Sequence, residues 1–133
     1  MDRAMTRVLA TTLACLALAY PSLRVQATGP TPCQPQPVLK QWLLQQLATW
    51  QPQLMREPGY RAPASFTVCA LHARRPYADI RDQRIYAGPL RTSNDAVSLV
   101  HEYLHLALAG HPHGRDESYV EALARRLVRT GGN

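Results

Sequence analysis

No stripe of basic residues interleaved with aromatics runs through this chain, and that argues against nucleic acid as a partner. Its fifteen Lys and Arg outnumber nine Asp and Glu, for a formal charge of +6. Fourteen of the fifteen are Arg, scattered except for the doublets Arg74-Arg75 and Arg125-Arg126. The longest apolar run, Val8 to Tyr20, has thirteen residues, short of the roughly 20 that a comfortable membrane helix needs. No internal repeat is present, and 133 residues allow one domain at most. Cysteine is scarce, with only Cys15, Cys33 and Cys69.

The thirteen-residue run has a place in a different pattern. Arg3 and Arg7 precede it, and Val25-Gln26-Ala27 puts short residues where a leader peptidase cuts. That layout reads as a secretory signal peptide over 1–27, cleaved near Ala27, with the mature protein secreted or periplasmic. An uncleaved anchor and an acylated Cys15 are the alternatives. With Cys15 lost with the leader, Cys33 and Cys69 form an even pair in an oxidising compartment, and a Cys33–Cys69 disulfide is expected. The mature chain of 106 residues keeps twelve basic and eight acidic residues and is large enough to bury a core. A mildly cationic exported protein favours anionic envelope surfaces.

Residues 28–37 hold Pro30, Pro32, Pro35 and Pro37 and read as an extended linker, followed by a domain over 38–133. Leu39, Trp42, Leu43, Leu47 and Trp50 recur at helical spacing, and Pro52 ends or kinks that helix. The Trp pair fits core packing better than a ligand platform. Ser65 to His72 reads as a strand that leaves His72 at the surface, and Tyr77–Arg81 with Arg84–Ala87 as a hairpin turned at Asp82-Gln83. Thr92-Ser93-Asn94-Asp95 has the form of a capping box and opens a helix whose apolar-periodic stretch spans Ala96 to Ala109. Gly110, in the left-handed conformation, and Pro112 are expected to close it. Asp116-Glu117 begin a last helix with an apolar arc of Val120, Leu123, Ala124, Leu127 and Val128. The class is therefore α+β.

The chemistry sits in His101-Glu102-Tyr103-Leu104-His105, the pattern H-E-x-x-H. Five His and four Glu give that pattern by chance in about one chain in two hundred of this length. Residues four apart stack on one helical face, so both imidazoles can grip one metal ion. Glu102 lies about 100° round the helix, beside the metal, where it can act on a water. Two hydrogen-bonded structural histidines are the bland alternative. It is disfavoured because the helix is apolar on nearly every side, and burying two imidazoles and a carboxylate without a metal is costly.

A catalytic zinc wants a third protein ligand. The last two helices are expected to form an antiparallel hairpin turned near Pro112-His113, and reflection of residue 103 across that turn lands beside Glu121. Glu121 is thus the first choice, with His111 and Glu117 as alternates. Ala124, on the same face as Glu121, would let the two helices approach closely.

The segment Thr92 to Val128 resembles the zincin metallopeptidases, above all the gluzincin branch. There H-E-x-x-H on one helix is followed by a Glu on the next, often with Ala shortly after. The matching residues here are His101, Glu102, His105, Glu121 and Ala124. The resemblance implies a minimal zincin-like core: a backing helix, a small sheet of two or three strands, the motif helix and a C-terminal helix. It also implies a zinc ion, with Glu102 as the general base of a peptide hydrolase acting on peptides or proteins, cell-envelope peptides included. An edge strand, Arg84 to Ala87, would hold the substrate, and Tyr119, His113 or Tyr86 would stabilise the oxyanion. The span from His105 to Glu121 is shorter than in most gluzincins, and Arg125 stands where many have an acidic residue. The metzincin pattern is matched only in part: His111 has the right offset, Leu108 occupies the Gly place, and no Met follows. The same stretch also resembles the C-terminal part of a bacterial family of predicted secreted proteins with no assigned function. The competing reading is a non-catalytic secreted binding or accessory module that keeps a zincin core.

Overall fold

A computed structural model describes residues 32–131. The signal-peptide reading over 1–27, the Cys15 alternative and the first residues of the linker lie outside them. The described chain runs α1 (Pro37–Leu54), β1 (Thr67–Ala70), β2 (Tyr77–Asp79), β3 (Arg84–Ala87), α2 (Ser93–Ala107), a 3-10 helix (Pro112–Arg115) and α3 (Glu117–Thr130). Three α-helices and a three-stranded mixed sheet make an α+β fold. No helix among the described residues is long and apolar enough to cross a membrane.

Pro37 occupies the first turn of α1, where its missing N–H costs nothing. Leu43, Trp50 and Leu54 form the helix's buried stripe, with Leu39, Trp42 and Leu47 packed beside them. Pro52 does not end the helix, which runs on to Leu54. In the last turn the ring deprives only the carbonyl of Ala48, an exposed residue, of its partner.

The sheet order is β1-β3-β2, with β1 parallel and β2 antiparallel to β3. Strand β3 is therefore central, and the expectation that Arg84 to Ala87 forms the edge is wrong. The sequence shows two strands joined by a tight turn but not which of them returns beside β1. On the outer side of β1 the N-terminal arm binds through Gln36 N–H to Val68 O and Ala70 N–H to Gln34 O, both 2.8 Å. Strand β2 is left as the open edge. The hairpin turn is tightened by Asp79, whose carboxylate accepts Asp82 N–H at 3.1 Å, and by Gln83 at φ 52°. The expected disulfide is present between Cys33 and Cys69, and it fastens the arm to β1.

Phe66, Val68, Ile85 and Ala87 face the core, where they meet Val97, Val100 and Leu104 of α2. Val120, Leu123, Ala124 and Leu127 of α3 complete it. Trp50 joins this core, and His72 is exposed as expected. Helix α2 begins with the expected capping box. Thr92 Oγ1 accepts Asp95 N–H at 3.2 Å, and Asp95 Oδ2 accepts Thr92 N–H at 2.7 Å.

Its end differs from the expectation. Gly110 has no left-handed φ; the helix is capped at Leu108 instead. The following 3-10 helix then folds back against the last turn of α2, with His111 N–H donating to Leu108 O at 2.9 Å. Gly114 lies so close that a Cβ there would sit 2.2 Å from Leu108 O. Helix α3 thus starts well back along α2 rather than beyond its end, and this displacement decides which glutamate reaches the histidines first.

Candidate metal centre

His101 and His105 project from the same face of α2, each with 14% of its side chain exposed. Their Nε2 atoms are 3.1 Å apart. Glu117, the first residue of α3, closes the group: its Oε2 is 2.9 Å from His101 Nε2, and its Oε1 is 3.2 Å from His105 Nε2. The ligand atoms of the three residues all lie within 4.8 Å of one another. Zinc with bonds of about 2.0–2.1 Å in a tetrahedron spaces its donors by about 3.3 Å. Two imidazole nitrogens and a carboxylate fit that ion in kind and in spacing. The Glu117 side chain is 70% exposed, so the open side of the group faces solvent.

Glu121, the first choice for the third ligand, does something else. Its Oε2 lies 2.7 Å from His101 Nδ1, the ring nitrogen turned away from the group, and Arg125 Nη2 holds its Oε1 at 2.7 Å. A plain turn would bring Glu121 level with the two histidines, whereas the folded-back 3-10 helix brings Glu117 level with them and leaves Glu121 one turn further. His111 is not brought in either. It accepts His113 N–H at 3.2 Å, caps the 3-10 helix, and packs against Gly59. Ala124 is fully buried between the helices, as a close approach requires.

His105 is oriented from behind as well, with its Nδ1 2.9 Å from the carbonyl of Gly114. A carbonyl can only accept, so His105 donates from Nδ1 and keeps its Nε2 lone pair for a cation, and Glu121 offers His101 Nδ1 an acceptor in the same position. The sequence carried no signal for a backbone carbonyl. The Glu121–Arg125 pair was readable only as ordinary i,i+4 spacing on a helix.

Glu102 is half-buried, and burial pushes its carboxyl above the usual carboxylate range; the charges of His101 and His105 oppose the shift. The backbone of Ala78 on the open edge strand also opposes the shift and favours the ionised form. The edge strand and the helix that carries the motif glutamate are in contact. The three oxyanion candidates are not assembled here. Tyr119 gives its hydroxyl to Glu57, which also takes Arg126 Nη2 at 2.7 Å. His113 stacks on Tyr119 with ring centroids 4.0 Å apart. Tyr86 is buried and stacks on Tyr77 at 4.5 Å.

A family model described as "Predicted secreted protein (DUF2300)" matches residues 9–113. The chain belongs to this family. The match runs from near the N-terminus to just after the motif, and α3 with Glu117 and Glu121 lies beyond it. The chain is also similar to "Uncharacterized protein YfaQ" of Escherichia coli (strain K12), at 40% identity over 115 residues. That alignment covers 85% of this chain and 21% of the relative, so the chain spans about a fifth of the longer protein. No solved structure matches it.

Proposed function

We propose that this secreted-family domain is a zinc-dependent hydrolase, most naturally a peptidase, with His101, His105 and Glu117 as ligands. The observation that carries the reading is the convergence of two Nε2 atoms and one carboxylate at 2.9–3.2 Å, each imidazole held from behind through Nδ1. This arrangement is a minimal zincin-like core, with α1 as the backing helix. Bound zinc would supply a Lewis acid that makes a water nucleophilic near neutral pH and polarises a carbonyl.

The chain's own residues do the rest. Glu102 takes the proton from the attacking water and hands it to the leaving amine. Glu121 and Gly114 hold the imidazoles in place. An extended peptide pairs with the open main chain of β2, next to Glu102, and export suits substrates of the cell envelope.

One observation favours the alternative, a non-catalytic secreted binding or accessory module that keeps a zincin core: Tyr119 is bonded to Glu57, His113 stacks on Tyr119, and Tyr86 stacks on Tyr77. Glu102→Gln separates the two. The purified protein should hold about one zinc per chain, and the variant should keep the zinc while losing hydrolysis by about 10²–10⁴-fold. A metal-loaded protein inert towards a broad peptide library would leave the module as the reading, and a protein that binds no zinc would remove the hydrolase.

A further inference from the structure

The loop that leads into β2 builds a second feature. Arg74, Arg75 and Tyr77, with Ala73 and Pro76, line an open cavity of about 520 Å³. Both arginines are exposed, and among the described residues neither forms an ion pair with a carboxylate. Their wall is fixed, because Tyr77 stacks face to face on Tyr86 across the strand pair, with ring planes 11° apart. Tyr77 is also the first residue of the edge strand, which packs against the helix that carries Glu102.

We propose that Arg74 and Arg75 form a carboxylate-binding subsite for the extended peptide that lies along β2. The inference rests on the peptidase reading for the placement of that peptide. A peptide paired with an edge strand advances about 3.3 Å per residue and sends alternate side chains to opposite faces of the sheet. Arg75 and Arg74 lie three and four residues before Ala78, in the bend just ahead of the strand, so the cavity sits at the N-terminal end of β2. A carboxylate about three residues from the bond beside Glu102 reaches the cavity. Two guanidinium forks recognise planar carboxylates through paired N–H donors, and among the described residues no acid is paired with them. The carboxylate comes from an acidic side chain or from the peptide's own C-terminus.

Binding to the Glu102→Gln protein, loaded with zinc, tests this without requiring hydrolysis. Fluorescent blocked heptapeptides would be compared in pairs, Glu against Gln at each position and free acid against amide at the C-terminus, by anisotropy at fixed salt. One position, or the terminus, should bind about fivefold tighter or more when negatively charged. That difference should vanish in Arg74→Glu/Arg75→Glu protein whose zinc content is unchanged. Preference at one internal position identifies a side chain, and preference for the free acid identifies a C-terminus. A preference spread equally over all positions, one that survives the double reversal, or none at all overturns the proposal. Zinc content, measured in the same samples, reports separately on the metal reading.

Discussion

His101 and Glu121 meet through Nδ1 and Oε2 at 2.7 Å, on the side of the imidazole opposite the one that faces Glu117. One histidine thus has a glutamate on each ring nitrogen, and the two glutamates are one helical turn apart on α3. Their roles follow from which nitrogen each touches. Glu117 shares the Nε2 side with His105, whereas Glu121 meets the ring from its far side.

Substitution ranks the two. Glu121→Gln keeps a hydrogen-bond acceptor at Nδ1 and should weaken zinc binding by about 10–100-fold, the usual cost of losing a residue behind a ligand. Glu117→Ala removes a donor from the metal itself and should weaken it further. Competition with a chromophoric chelator measures both. The reverse order would return Glu121 to the coordination shell.

Gly114 has a sharper prediction. A Cβ there would sit 2.2 Å from Leu108 O and 2.7 Å from Leu108 C, both backbone atoms. Gly114→Ala must push the 3-10 helix off α2, and with it the carbonyl that holds His105 Nδ1. The expected loss is about 2 kcal/mol or more of stability, and about 10–100-fold in zinc affinity. Gly110→Ala, with open space around its Cβ, is the control and should change zinc affinity little. Equal behaviour of the two variants would show that the close contact at 114 does not position His105.

Much of this was legible in the sequence, for local reasons. Thr92 and Asp95 announce the start of α2 because a capping box is a contiguous pattern. His101 and His105 share a face because helical geometry dictates it. What failed depended on packing. Strand order cannot be read from β3 alone, since its partners lie 17 residues before it and across a hairpin. The third donor depended on where the 3-10 helix folds, which Gly114 permits through contact with Leu108, a residue outside its own turn. Gly110 looked like a helix stop, yet the cap formed two residues earlier.

The Cys33–Cys69 bond encloses a separation of 36 residues. In the chain-entropy model it stabilises the fold by about 3–4 kcal/mol. Cys33→Ser/Cys69→Ser should lower the urea midpoint accordingly and release the arm from β1. Zinc stoichiometry should persist in the folded fraction, because neither cysteine touches the metal group. Loss of zinc from a variant still folded by circular dichroism would tie the arm to the centre.

Alkaline pH should unfold the protein through its buried phenols. Burial, and then the Glu57 carboxylate that accepts its proton, push the Tyr119 hydroxyl up to about 12. Burial also raises Tyr103 and Tyr60, whose hydroxyls bond each other at 2.9 Å. An unfolded tyrosine ionises near pH 10. Above that point the unfolded chain holds fewer protons than the folded one, so stability falls as pH rises. The contribution of Tyr119 is fully present below pH 10 and is lost through about 12. Urea midpoints followed from pH 8 to 12 should decline across that window, and Tyr119→Phe should flatten the decline. Phenolate absorbance of the folded protein that titrates entirely near pH 10 would contradict the shift and remove the predicted slope.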